Sequence, residues 1–296
     1  MKKFVILDGH ALIYRGYYAL PPLHTQKGEL VNAVYGFTTI LLTILEKMRP
    51  DFLAVAFDLK GPTFRDELYA DYKAQRPETP DDLIPQVPRI RQVVEAFKIP
   101  VFEKEGFEAD DLIATLATHV GHDEALANLE LLIVTGDMDL TQLITDQVKI
   151  VAPLSGFNDM KTYDSQVLMD KYGIWPHQMV DYKALKGDVS DNLPGVPGIG
   201  EKTAAKLLFQ YESLDGIYAH IDKITGAVHD KLVAGKESAY RCQKLAQLVK
   251  DVPLILDLEA CKTHVVDAAQ VKLLFEDLEF KRLIPKNNGL QNHRQT

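Results

Sequence analysis

Residues 4–8 read FVILD, a short apolar run rich in β-branched and aromatic side chains that stops on an aspartate. The pattern recurs at 52–58, FLAVAFD, and at 131–137, LLIVTGD. Continuous apolar runs of this length suit strands covered on both faces, as in a parallel sheet between helical layers. Helical periodicity separates them, in VNAVYGFTTILLTILEKM (31–48), IPQVPRIRQVVEAF (84–97) and DLIATLATHV (111–120). Strand and helix in alternation predict an α/β fold with a mainly parallel central sheet flanked by helices, to which KIVAP (149–153) adds a strand. Ligands of such sheets bind at the carboxyl ends of the strands. Asp8, Asp58 and Asp137 each stand at such an end, so three residues remote in sequence are expected to meet.

After residue 173 strand-like runs nearly vanish, and helices are expected over 176–188, 201–211 and 237–250. The expected domains are therefore 1–173, an α/β domain, and 174–290, a helical domain, with 291–296 a polar tail. The chain has 296 residues, 46% of them hydrophobic, which is enough for one large domain or two ordinary ones. The apolar stretch at its start is too short for a signal peptide and no run is long enough to span a bilayer, so a cytoplasmic location away from membranes is expected. Cys242 and Cys261 have no partners at zinc spacing and read as packing residues.

Acidic residues cluster where the strands end and the next helices begin. FEADDLIATLATHV (107–120) crowds Glu108, Asp110 and Asp111 into four positions. TGDMDL brings Asp137 and Asp139, and GDVSDNLPG brings Asp188 and Asp191. Carboxylates in a first helical turn also favour the helix dipole, by about 0.3–1 kcal/mol each. Convergence outweighs that benefit, because two unit charges 4 Å apart repel by about 4 kcal/mol even at an effective dielectric of 20. Protons or metal ions must compensate. An all-oxygen donor set selects hard cations, Mg²⁺ or Mn²⁺, and acids in this number suit two or more ions. Together with Asp8 and Asp58 these are nine acids, equal to the formal net charge of −9, so the remainder of the chain is formally neutral and free to carry basic surfaces.

Two segments are candidates for phosphate handling. GVPGIGEKTA (195–204) has Gly195, Gly198 and Gly200 ahead of a helix with Lys202, Thr203 and Lys206, a backbone N–H site for anions without base specificity. It lacks the spacing of a Walker loop and fits a hairpin between short helices that grips DNA by its phosphates. FRDELYADYKAQRPETP (64–80) interleaves Arg65, Lys73 and Arg76 with Tyr69 and Tyr72, a mixture suited to a single strand.

With LDGHALIYR (7–15), VAFDLKGPTFRDE (55–67), ADYKAQR (70–76), EADDLIATLA (108–117), TGDMDLTQL (135–143) and GDVSDNLPGVPGIGEKTA (187–204) in that order, the sequence resembles the 5′-nuclease domains found at the N-terminus of bacterial DNA polymerase I, within the wider flap-endonuclease and 5′-exonuclease family. The resemblance implies a PIN-like core, a helical arch and a helix-hairpin-helix (helix-three-turn-helix) subdomain, often with bound K⁺. It implies two-metal hydrolysis of DNA at 5′ flaps, nicked or gapped duplex and RNA primer ends, by a monomer or by part of a polymerase. The nine acids fall on the family's metal ligands. Lys73 and Arg76 take the catalytic contacts to the scissile phosphate, Tyr72 a stacking role, and Arg15 and Arg65 further DNA contacts. Met138 departs from the family, which usually has lysine between these two aspartates. The rival readings are a DNA-structure-binding scaffold without turnover, a PIN-type ribonuclease, and a haloacid-dehalogenase-like phosphatase, which DGH after the first strand disfavours.

Overall fold

A computed structural model of the protein describes residues 1–154, 157, 159–264 and 267–284. The expected tail, 291–296, and the last residues of the expected second domain lie outside them. The chain runs β1 (Lys2–Asp8), α1 (Gly9–Ala19), α2 (Asn32–Met48), β2 (Phe52–Ala56), α3 (Phe64–Leu68), α4 (Gln86–Ala96), β3 (Val101–Phe102), α5 (Ala109–His122), β4 (Leu129–Val134), β5 (Val148–Pro153), β6 (Met160–Tyr163) and α6 (Ser165–Tyr172). There follow α7 (Met179–Lys186), α8 (Glu201–Tyr211), α9 (Leu214–Ala219), α10 (Ala227–Ala246) and α11 (Ala268–Asp277).

The six strands form one sheet in the order β3-β2-β1-β4-β5-β6, parallel except for β6. Register aligns Asp8 with Ala56 and Leu7 with Val134, so β1, β2 and β4 end side by side and their trailing aspartates share one edge. Alternate residues of each central strand enter different cores. Phe4, Ile6, Ala54, Leu131 and Ile133 pack with Leu112 and Leu116 of α5, and this layer continues into the helical region through Leu185, Leu208 and Leu232. Val5, Leu7, Val55 and Val134 pack under α1, α2 and α4. The aspartates end buried strands because each apolar run is consumed by these two layers, and the next residue emerges at the rim.

The short strands β3 and β6 carry too little apolar periodicity to be expected from sequence. The region expected as a helical domain over 174–290 also sends its last part back to the sheet. Leu53 N–H bonds to Cys261 carbonyl at 2.7 Å, extending the sheet edge, and α11 places Val271 and Phe275 in the core beneath α2 and α4. Arg89 on α4 fastens this return, reaching Glu29 at 2.8 Å and Asp277 at 2.5 Å.

Helix α1, which carries Asp8 as its cap, is set against α2 by two glycines. A Cβ on Gly36 would lie 2.5 Å from Gly16 Cα, and one on Gly16 would lie 2.9 Å from Ala33 carbonyl oxygen. Gly36→Ala is expected to push the helices apart at a cost of about 1–3 kcal/mol. Thermal unfolding checks this through a lower Tm, and an unchanged Tm would show slack at the crossing.

Candidate metal centre and nucleic-acid interface

Asp8 is both the last residue of β1 and the N-cap of α1. Its Oδ1 accepts the Ala11 N–H at 3.1 Å and its Oδ2 the Thr135 hydroxyl at 2.6 Å, while Thr135 Oγ1 accepts the Asp137 N–H at 2.8 Å. Asp58, two residues beyond β2, accepts the Ala109 N–H of α5 at 2.7 Å. His10 Nδ1 lies 3.1 Å from Asp58 Oδ2. Glu108 caps α5 and meets the Lys73 ammonium at 2.6 Å. These groups, with Asp110, Asp137, Arg15 and Arg76, line a cleft of about 660 Å³ at the carboxyl edge of the sheet.

Burial, reinforced by the charges of Asp58 and Asp137, pushes the Asp8 carboxyl up to about 6 although Thr135 and Ala11 favour its anion. Asp110 is raised well above the usual range by burial and by Asp137 and Asp8. Asp58 is held low: burial opposes this, but the His10 contact and the Ala109 N–H prevail. Among the described residues, none hydrogen-bonds to the buried Arg15 Nε. A buried donor of this kind at a cleft wall is costly until an acceptor arrives.

A second acidic group adjoins the first. Asp139, Asp188 and Asp191 each offer a carboxylate oxygen, all within 4.8 Å of one another. Lys183 of α7 is inserted here, bonded to Asp139 and 2.5 Å from Asp188 Oδ2. Burial and the nearby Asp137 push Asp139 up to about 7 in spite of Lys183. Asp188 is lowered to about 2 because Lys183 and Ser190 overcome its burial. Oxygen ligands gathered around protonated or lysine-paired carboxylates are the donor set of a hard divalent cation.

The 64–80 segment, read from sequence as suited to a single strand, holds only the five-residue α3 and then turns, with Lys73 at a positive φ of 55°. It lies on the 188–193 turn. Arg76 Nη2 reaches Asp191 at 2.6 Å, the Lys73 N–H bonds to Asp191 carbonyl at 3.1 Å, and Asn192 Nδ2 bonds to Asp71 carbonyl at 2.7 Å. Lys73 and Arg76 thus rest one on each acidic group.

Three assignments made from sequence need correction. Asp111, expected as a metal ligand, is fully buried and grips Arg65 through two 2.7 Å bonds. It also accepts N–H groups of Glu108 at 3.2 Å and Val249 at 2.9 Å, which saturates its oxygens. Arg65, expected to touch DNA, is 1% exposed and also donates to the carbonyls of Leu245 and Gln247. Tyr72, expected to stack a base, is 6% exposed with its ring in the core and its hydroxyl directed at Glu108. In all three cases a polar or aromatic side chain beside the site faces inward, a choice that helical spacing does not reveal.

The hairpin joins α7 to α8. Gly195 has a φ of 62°, and a Cβ there would lie 2.2 Å from the Gly187 nitrogen, so only glycine closes the loop. Gly200 caps α8, Gly198 also has positive φ, Lys202 and Lys206 are exposed on α8, and Thr203 is half-buried. Lys183, His10 and Thr135 were missed from sequence. His10 and Thr135 lie two residues from Asp8 and Asp137 and were open to the same strand-end reasoning; Lys183 sits in a helical run that carries no such signal.

An α/β sheet with acids at its carboxyl edge, joined to a helical hairpin module, defines a PIN-like nuclease fold. The chain belongs to the 5′-3′ exonuclease family: residues 3–173 match its N-terminal resolvase-like domain and residues 174–269 its C-terminal SAM fold. It is 42% identical over 286 residues to DNA polymerase I of Caldicellulosiruptor bescii, covering 96% of this chain and 33% of that protein. To DNA polymerase I of Chloroflexus aurantiacus it is 46% identical over 281 residues, covering 93% and 29%. The chain thus spans about a third of the length of these relatives. Its fold is similar to that of bacteriophage T5 flap endonuclease in a pseudo-enzyme-product complex with DNA and metal ions (TM-score 0.67, 22% identity, 94% of this chain, 100% of the other). It is also similar to the catalytic core of Rad2 in complex with DNA substrate (TM-score 0.57, 16% identity, 93% and 87%). Among the described residues no helix is long and apolar enough to cross a membrane.

Arg65→Ala would strand a buried Asp111 and is expected to cost about 3–5 kcal/mol of stability, measurable by denaturant unfolding. A second expectation concerns pH. Carboxyls with raised folded-state values bind protons more tightly folded than unfolded, so without metal their contribution is full below the ordinary value of 3.8 and is lost as pH climbs through about 6 to 7. A divalent cation replaces those protons, so the rise in Tm on adding Mn²⁺ should be small at pH 5 and large at pH 8. A pH-independent rise would remove Asp8, Asp110 and Asp139 from the ion's ligands.

Proposed function

We propose that the chain is a divalent-metal-dependent, structure-specific 5′ nuclease that hydrolyses DNA phosphodiesters at flaps and primer-derived 5′ ends in replication and repair. The observation that carries this reading is the meeting of Asp8, Asp58, Glu108, Asp110 and Asp137 in one cleft. Beside it lie Asp139, Asp188 and Asp191, within common reach of one ion. These eight acids hold Mg²⁺ or Mn²⁺ in our reading, without Asp111. When bound, the ions supply an activated water and charge stabilisation at the leaving oxygen.

The chain's own residues do the rest. Lys73 and Arg76, now resting on Glu108 and Asp191, exchange those partners for the scissile phosphate and offset the charge that grows on it. The unpaired Arg15 Nε receives a phosphate oxygen at the cleft wall. The 195–200 loop and Lys202, Thr203 and Lys206 grip duplex phosphates, with K⁺ at the loop as the resemblance implies. Coverage of a third of the relatives supports this chain as the nuclease portion of a DNA polymerase I.

Asp58→Asn is expected to lower Mg²⁺-dependent flap cleavage by about 10²–10³-fold. Flap binding, followed by fluorescence anisotropy in Ca²⁺, should change little. Loss of binding and cleavage together would make Asp58 structural, and cleavage without added metal would overturn the proposed chemistry.

A further inference from the structure

Lys183 has no role in the function proposed above, yet it is placed as a ligand-sized charge inside the second acidic group. Its ammonium bonds to Asp139 and lies 2.5 Å from Asp188 Oδ2, and its side chain is 7% exposed. The oxygens of Asp139, Asp188 and Asp191 fit within 4.8 Å, which leaves room among them for one cation. We propose that Lys183 is a tethered cation occupying the second metal position, so that the DNA-free protein holds one divalent ion firmly and admits the second only by displacing this ammonium. The inference rests on reading Asp139, Asp188 and Asp191 as metal ligands.

The cations on the two acidic groups are carried in two ways. Lys73 and Arg76 sit on a turn-rich strap, their side chains 22% and 47% exposed, and leave with it. Lys183 is built into α7, whose neighbours Tyr182, Ala184 and Leu185 are core residues. Only its four-carbon stem can swing. A place to swing exists: Lys183, Asp139 and Asp188 open onto one cleft of about 580 Å³, whose wall also includes Met138, Tyr172 and Met179. At the first group, no ion pair to Asp8, Asp110 or Asp137 is found among the described residues, so an ion entering there has no ammonium to expel from them.

An ammonium in place about nine-tenths of the time weakens the apparent affinity for the second ion about ten-fold. The test is titration of the DNA-free chain with Mn²⁺ at pH 8, followed by electron paramagnetic resonance and calorimetry, for the parent, Lys183→Met and Lys183→Arg. The parent should bind one ion tightly and a second weakly. Lys183→Met should tighten the second ion about ten-fold with the first unchanged, and Lys183→Arg should match the parent. A second-ion affinity unchanged or weakened in Lys183→Met would overturn the proposal.

A measurement on the parent alone guards against misfolding of that variant. Acylation of Lys183, read by mass spectrometry, should be slow without Mn²⁺ and with one equivalent, and several-fold faster at saturation. Equal rates throughout would overturn the proposal. Should the parent bind no Mn²⁺ at all, the metal-site reading itself fails; should two ions bind with affinities indifferent to Lys183, only this inference fails.

Discussion

Repulsion among carboxylates at the carboxyl edge of the sheet is the constraint around which the rest of the structure is arranged. Most of these acids are compensated, and the means differ in a way that separates structure from function. Asp111 is neutralised permanently, by a guanidinium that is buried and held by four hydrogen bonds. Asp8, Asp110 and Asp139 are raised toward protonation, a compensation that any stronger cation can replace. Glu108 and Asp191 borrow Lys73 and Arg76 from a strap that is partly exposed. Removable compensation marks where ligands enter; fixed compensation marks what holds the frame.

The buried Arg65–Asp111 pair serves the site indirectly. It ties α3, at the root of the strap, to α5, whose first turn presents Glu108 and Asp110, and to the carbonyls at the end of α10. Desolvation makes such a pair a weak source of net stability, but breaking one half of it is severe. Its value lies in fixing the relative position of three segments whose other contacts are apolar and less directional. The strap beyond α3 is held differently: by the buried ring of Tyr72, by Lys73 on Glu108, and by hydrogen bonds and Arg76 on the 188–193 turn. Such a segment is suited to exchanging protein carboxylates for nucleic-acid phosphates.

Much of the architecture was legible in the sequence. Strands β1, β2, β4 and β5 announced themselves as doubly buried apolar runs, and the helices between them by period, because both signals arise from burial along a single segment. The short strands β3 and β6, and the return of α11 to the sheet, were not legible. Two residues carry no period, and an amphipathic helix does not say which of two exposed faces of a sheet it will cover. Likewise the 64–80 segment has basic and aromatic residues in helix-compatible order, yet beyond α3 its backbone docks on Asp191 and Asn192 instead of continuing as helix.

At the site, the sequence by itself determined which acids terminate strands and begin helices, since a polar residue after a buried run must emerge at a sheet edge. Only the tertiary structure decided what each acid faces. Asp110 and Asp111 are neighbours in sequence, but successive helical positions are rotated by about 100°, so one turns to the cleft and the other to Arg65. The same holds for the cations: Arg65 was assigned to the surface and lies inside, whereas Lys183, unremarkable in its helix, stands between Asp139 and Asp188. Charge type is written residue by residue, but the partner that neutralises it is chosen by packing among segments far apart in the chain.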